Sequence, residues 1–284
     1  MLLWAGNWVF ARSLRFDAPP VALAFWRWLI ALIVLVPLAY PYLRAQWRIV
    51  TGAWPVLCLL ALMATALQHV PVYIGLRDTT ATNGALLNST TPIMILLLSR
   101  FIVGERLRFS QITGIAISLA GVVTVVVRGN FAALAALEIH AGDLWILLAT
   151  LSWAVYTVCL RWRPAALHPL ALLCVIAAVG VCAMLPLYLW EITQGRTVNA
   201  TAATVCGMVY LGVFATVVAY IFWNRAVQYI GPNQAGAFMY LMLVYTPLLS
   251  MIFLGERLEP YHFAGGALIL GGIYVTNAGP QRKP

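Results

Sequence analysis

Residues 104–107 read Gly104-Glu105-Arg106-Leu107, and residues 255–258 read Gly255-Glu256-Arg257-Leu258, the same four letters 151 positions later. Gly114 and Gly121 recur at that offset as Gly265 and Gly272. Towards the N-terminus the register holds to within two residues. Asn83 recurs as Asn233, Pro37-Leu38 as Pro186-Leu187, Pro19 as Pro169, and Trp4, Ala5 and Arg12 as Trp153, Ala154 and Arg161. A near-constant offset across half a chain marks an internal duplication, with one copy over 1–138 and a second over 139–284.

Composition puts both copies in a membrane. Hydrophobic residues are 63% and charged residues 9% of the chain, where a soluble domain carries roughly a quarter charged residues; the mean hydropathy is +0.91. Apolar segments span 1–13, 20–42, 54–76, 82–103, 110–127, 143–161, 169–190, 203–224, 232–254 and 261–278. Most approach the ~20 residues that cross a bilayer as a helix. Backbone in lipid must satisfy its own hydrogen bonds, and these continuous runs lack the alternation of a barrel. The expected fold is therefore an all-α membrane protein of ten transmembrane helices. Five spans per copy force the second copy to lie inverted, which is the architecture of alternating-access carriers. The first segment is short, and its counterpart near Gly142 maps to a position before Met1, so about two turns of helix one are expected upstream of the numbering.

With the N-terminus inside, ten Arg and Lys residues fall on the inner side (Arg44, Arg48, Arg100, Arg106, Arg108, Arg161, Arg163, Arg225, Arg282, Lys283). Six fall outside (Arg12, Arg15, Arg77, Arg128, Arg196, Arg257). The bias places both termini in the cytoplasm of a plasma membrane, the bacterial inner membrane. The net charge of +9 then reflects topology, and nucleic acid is not an expected partner. The five cysteines, in or beside apolar segments without paired spacing, read as packing residues.

Two five-segment copies, each ending in Gly-Glu-Arg-Leu and a glycine-studded last segment, resemble the EamA family of the drug/metabolite transporter superfamily across essentially the whole chain. The opening Trp4-Ala5-Gly6-Asn7-Trp8-Val9-Phe10-Ala11-Arg12, with Pro19-Pro20 and Phe25-Trp26-Arg27-Trp28, is more narrowly similar to YddG-type aromatic amino-acid exporters. The resemblance implies a cavity lined mainly by helices one, three, four, six, eight and nine, and outward movement of amino acids or related metabolites.

The residues point the same way. Gln68, His69 and Tyr73 fall in helix three, and His69 and Tyr73, four apart, share a face. Asn7 lies with Trp4 and Trp8 in helix one; the matching region of helix six carries Trp153, Tyr156 and Thr157. Helix eight offers Tyr220, Trp223 and Asn224. Helix four offers Gly84, Asn88 and Thr91, and helix nine Tyr240 and Tyr245. Polar groups in a bilayer usually face a bundle interior or wet cavity, and aromatic walls with a few fixed polar groups suit a ligand part apolar and part zwitterionic. The candidate substrate site is thus Asn7, Gln68, His69, Tyr73, Asn88, Trp153, Tyr156, Tyr220, Asn224, Tyr240 and Tyr245. Bland readings stand beside it: Trp4, Trp8 and Trp223 serve equally well as interfacial anchors, and Asn88 and Thr91 as glue between helices.

Arg27, two turns into helix two, could meet a carboxylate, but snorkelling to the interface is the reading we favour from sequence. Glu105 and Glu256 are expected to pair locally or cap helix starts. Pro71, Pro92 and Pro247 fall within spans and are expected to kink them as hinges. Pro92 precedes Glu105 by 13 residues and Pro247 precedes Glu256 by 9, so the two gates are expected to differ. The stripes Gly114-Ser118-Gly121 and Ala267-Gly271 suit close packing, and a monomer suffices to enclose the cavity.

No Asp or Glu sits clearly mid-span, and His69 is the single mid-span group titrating near neutral pH. Facilitated transport, or weak coupling through His69, is expected. The scattered His69, His140, His168 and His262 offer no metal or catalytic spacing, so neither an enzyme nor a cofactor is expected. The alternative function is a multidrug exporter of lipophilic or cationic compounds held by cation–π attraction.

Overall fold

The computed structural model describes residues 1–103, 109–130 and 140–277; Val103, Gln111, residues 230–234, 236–237, 240 and 276–277 are described by backbone alone. The first Gly-Glu-Arg-Leu motif, the boundary between the copies and the basic tail lie outside the described residues. Among the described residues all regular structure is helical. The elements are α1 (Leu2–Ser13), α2 (Pro20–Ala45), α3 (Trp47–Gly52), α4 (Trp54–Ala64), α5 (Ala66–Asp78), α6 (Ala81–Asn88), α7 (Thr91–Val103) and α8 (Phe109–Val126). They continue with α9 (Ala141–Cys159), α10 (Pro169–Thr193), α11 (Ala202–Gly212), α12 (Ala219–Ala237), α13 (Met242–Leu254) and α14 (Pro260–Asn277).

Among the described residues six stretches are long and apolar enough to cross a membrane: Pro20–Ala45, Trp54–Asp78, Ala81–Ile102, Ala141–Trp162, Pro169–Thr193 and Ala202–Tyr229. Ile112–Val126 and Met242–Leu254 are shorter apolar helices. The helix starts carry recognisable signals. Pro20 occupies the first position of α2, and Pro169 that of α10, where a missing N–H costs nothing. Thr80 and Thr201 cap α6 and α11, each accepting from the amide three residues on. Gly255, at φ +65°, ends α13 in the left-handed region that glycine enters freely.

Several spans are interrupted midway. Thr65 (φ −117°, ψ −87°) separates α4 from α5, and its hydroxyl donates back to the Ala61 carbonyl at 2.7 Å. Ser89 and Thr90 separate α6 from α7, with hydroxyls donating to Leu86 and Leu87 carbonyls. A π-turn at Val213–Val218 joins α11 to α12, and a 3-10 turn at Phe238–Leu241 precedes α13.

Three sequence expectations change. Pro92 does not kink a continuous helix; it is the second residue of α7, just past the break at Ser89–Thr90, a position where its missing N–H is harmless. The expected interruption between 224 and 232 is absent: α12 runs on from Ala219 to Ala237, because Arg225 and Gln228 end the apolar run without ending the backbone helix. Ala267 and Gly271 are exposed. The face that α14 packs against α8 instead carries Gly265, Ile269 and Gly272. A Cβ on Gly121 would stand 2.7 Å from the Gly265 carbonyl, and one on Gly265 2.4 Å from a Val125 methyl. Ser118 donates to the Ile269 carbonyl at 3.1 Å.

Polar contacts tie helix ends together. Glu256 accepts from the amides of Ala81 and Thr82 and from the Thr82 hydroxyl at 2.9–3.1 Å, so it does cap a helix start, that of α6. Glu191 does the same for α2, accepting from Ala22 at 2.7 Å and Val21 at 3.4 Å. Thr79 donates to Asp143, and Arg12 to the Leu76 carbonyl, both at 2.5 Å.

Candidate functional site

The interior is built around aromatic rings from α1, α2, α9 and α12. Trp4 lies 5.4 Å from Trp153, edge-on at 85°, and 5.3 Å from Trp223. Trp153 lies 5.0 Å from Tyr156 and 5.4 Å from Tyr220. Tyr220 in turn meets Trp28 at 5.3 Å. Trp4, Trp8 and Trp223 are buried at 9%, 3% and 3% exposure, which excludes the interfacial-anchor reading. Edge-to-face contacts at these distances add roughly 0.5–1.5 kcal/mol per pair beyond burial.

Against this wall lies a polar cluster centred on Arg27. The residue is 1% exposed, so it does not snorkel; the sequence expectation is corrected. Its Nε donates to Thr216 Oγ1 at 2.5 Å, and its Nη2 to the Ala215 carbonyl at 3.0 Å. Its Nη1 donates to Asn7 Oδ1 at 2.6 Å and to Tyr73 Oη at 2.9 Å. The alternative to snorkelling won because α1, α5 and the π-turn of Val213–Val218 converge on the guanidinium and replace its water with acceptors. Ala215, inside that turn, also accepts from the Trp4 indole at 3.0 Å. π-turns in helices frequently mark functional sites.

A narrow cavity of about 30 Å³ opens among Trp4, Asn7, Arg27, Gln68, Trp153 and Met242, with room for about two waters. His69, Asn88, Trp8, Tyr220 and Met239 complete its lining. A second, apolar cavity of about 570 Å³ lies between the N-terminal turn of α1, α12 and Leu241–Tyr245, and Trp4 lines both. Two residues of the first cavity's lining carry buried polar atoms without partners among the described residues, Gln68 Oε1 and Trp153 Nε1; Trp223 Nε1, beside the second cavity, and Asn224 Nδ2 are two more. Such atoms are rare in native interiors and call for an explanation.

Of the sequence-derived candidates, Asn7, Gln68, His69, Asn88, Trp153 and Tyr220 line the first cavity. Tyr73 touches it through Arg27. Tyr156 and Asn224 pair with each other, hydroxyl to Oδ1 at 2.8 Å. Tyr220 directs its hydroxyl to the Ala64 carbonyl at 3.0 Å, beside the Thr65 break. Tyr245 stands at the second cavity, and the side chain of Tyr240 lies outside the described residues. Thr91 donates to the Asn88 carbonyl across the break between α6 and α7, and Thr157 to the Trp153 carbonyl of its own helix. The sequence reading missed Thr216, Trp28, Met239 and Met242. Trp28 and Arg27 stand together in the quoted Phe-Trp-Arg-Trp run, while nothing in the hydropathy marks Thr216.

His69 is held in a defined state. The Trp28 indole donates to His69 Nδ1 at 3.3 Å, and indole nitrogen can only donate. Nδ1 is therefore an acceptor and the imidazole neutral.

Residues 1–127 and 140–278 each match the EamA-like transporter family. The chain belongs to the EamA-like transporter family. Relatives of this EamA-like chain include an uncharacterized transporter of Archaeoglobus fulgidus, 27% identical over 98% of this chain and 94% of that protein. Another is a probable terminal-alkyne amino-acid exporter of Streptantibioticus cattleyicolor, 27% identical over 69% of this chain and 64% of that protein. A crystal structure superposes with a TM-score of 0.66 at 21% identity, covering 98% of this chain and 96% of that one; this likeness concerns the fold. The chain is thus a multi-pass membrane protein of a transporter family.

Proposed function

We propose that this EamA-like protein carries aromatic and other large neutral amino acids out of the cell by alternating access, at a single site between two inverted five-helix halves. The observation that carries the reading is the aromatic-walled cavity in which Arg27, Asn7, Gln68 and Trp153 present polar groups. An aromatic wall receives a large apolar side chain, and a small set of fixed donors and acceptors receives the two charged ends of an amino acid.

Helix pairing supports the inverted halves. Under the offset near 150, α1 corresponds to α9, α2 to α10, and α8 to α14. α8 packs on α14 and α2 on α10, so each of these pairs maps onto itself. α1 packs on α13, and its counterpart α9 packs on α7, the counterpart of α13. α2 packs on α11, and α10 on α4. A two-fold relation between the halves accounts for all of these pairings at once.

The cavity of about 30 Å³ is smaller than any large amino acid, so the site must widen to load. The breaks at Thr65, Ser89–Thr90 and Val213–Val218 supply points where half-helices pivot, with Pro71 and Pro247, each inside a helix, as further weak points. Trp4, shared by both cavities, stands where a gate would open. A monomer in a plasma membrane with both termini cytoplasmic suffices for this reading.

The test is uptake of labelled phenylalanine into liposomes holding the purified protein, without an ion gradient. Saturable uptake reduced by Trp153→Ala supports the proposal. Transport of a lipophilic cation such as tetraphenylphosphonium, with no movement of phenylalanine, replaces it with a drug exporter.

A further inference from the structure

We infer that Arg27 is the anion-binding residue of the site, and that it makes the carrier selective for solutes bearing a carboxylate. The inference rests on the transport reading above and names the group that recognises one end of the substrate.

Four facts meet at this residue. Arg27 is buried at 1% exposure in a membrane helix, where a charge is expensive and functional sites are the usual reason for it. Every acceptor it has among the described residues is neutral: Asn7, Tyr73, Thr216 and the Ala215 carbonyl. Four of its five N–H groups are spent, and one on Nη2 has no partner among the described residues. Finally, Arg27 lines the cavity of about 30 Å³, together with the polar side chains of Asn7, Gln68 and Asn88. A charge desolvated without a counter-ion is strongly unfavourable. Neutral acceptors satisfy its hydrogen bonds and leave its charge unmatched. A carboxylate entering the cavity supplies the missing charge and accepts a charge-assisted hydrogen bond from the remaining Nη2 N–H.

The neighbours fit the same assignment. The unpartnered Trp153 indole N–H is a second donor for the anion. Gln68 Oε1, also without a partner, is an acceptor for an ammonium group. A cation lacking a carboxylate would face Arg27 with like charge and gain nothing there, which weighs against the drug-exporter alternative on a different ground from the absence of a membrane carboxylate.

A purely structural Arg27, tying four segments together, makes a different prediction, and Asn7→Asp separates the two. That change is isosteric and sets a carboxylate where Oδ1 now stands, 2.6 Å from Nη1. It satisfies a structural arginine better than asparagine does, and it fills an anion site from within. The experiment is thermal unfolding of the full-length protein in detergent with phenylalanine, phenylacetate, phenylalanine amide, phenethylamine or sodium chloride. The expected result is that the two carboxylates raise the melting temperature and the two amines do not. Asn7→Asp should stay folded, be at least as stable as wild type, and lose the response to both carboxylates. Arg27→Lys should bind phenylacetate about tenfold more weakly, a loss of about 1.4 kcal/mol. The inference is overturned if no carboxylate shifts the wild type, if the amide shifts it equally, or if Asn7→Asp responds in full. A chloride shift equal to the carboxylates and dependent on Arg27 also overturns it, in favour of an inorganic anion site. If phenylacetate binds through Arg27 while liposomes move no phenylalanine, the amino-acid reading fails and the anion site stands.

Discussion

Arg27 and Tyr73, 46 residues apart in the chain, meet at 2.9 Å in the interior, guanidinium Nη1 to phenol oxygen. The contact joins α2 to α5 at the residue that the cavity shares with α1 and the π-turn. Replacing Tyr73 with phenylalanine removes the acceptor and keeps the ring. Hydrogen bonds to charged groups are worth about 1.5–3 kcal/mol, so Tyr73→Phe should lower stability by about that amount, read by thermal unfolding. Amino-acid flux in liposomes should fall as well, since the guanidinium loses one of the contacts that aim it.

A second polar pair supports the aromatic wall. Tyr156 donates to Asn224 Oδ1 at 2.8 Å, and Asn224 Nδ2 is already without a partner. Tyr156→Phe leaves the buried amide with no side-chain bond at all. The expected cost is about 1–3 kcal/mol, and Asn224→Leu in the Tyr156→Phe background should recover part of it. A double-mutant cycle by thermal unfolding measures the coupling.

The α8–α14 seam is a close helix contact. A Cβ at Gly121 would press on the Gly265 carbonyl and on Ile269, both backbone-anchored. Gly121→Ala should therefore destabilise the protein by about 1–3 kcal/mol through overpacking. Gly271→Ala, at an open position of the same helix pair, should leave the melting temperature unchanged. Equal effects of the two would mean that the helices pack by another face.

Proton coupling is not expected. His69 accepts a hydrogen bond from an obligate donor and stands in the same cavity lining as the Arg27 cation, so a proton on Nδ1 would break the bond and add like charge. Uptake of phenylalanine into liposomes should persist at the same rate when a protonophore abolishes the pH gradient. Uptake that needs the gradient, and still needs it in a His69→Gln variant, would place coupling at a group other than this one.

Much of this was legible in the chain. The apolar runs gave the helices, except that the boundary expected between 224 and 232 falls instead after Ala237, and aromatic and polar letters at helical spacing gave most of the cavity lining, from Asn7 to Tyr220. Arg27 was misread because a lone cation near the end of an apolar run is usually drawn to the interface; its acceptors Thr216 and Ala215 lie 189 and 188 residues away, beyond any local pattern. The π-turn that presents them is invisible to hydropathy, since Val213–Val218 is as apolar as a regular helical turn. Pro92 and the α14 glycines show a related limit: the sequence names residues that break or pack helices, and only the three-dimensional contacts say which face or which end they act on.

The central claim is that one site is exposed alternately to the two sides of the membrane. Counterflow tests it most directly: liposomes loaded with unlabelled phenylalanine are diluted into a trace of labelled phenylalanine, without any ion gradient. The account predicts a transient accumulation of label above equilibrium, lost in Trp153→Ala. Label that only equilibrates in the wild type, without an overshoot, would contradict a carrier with a single alternating site.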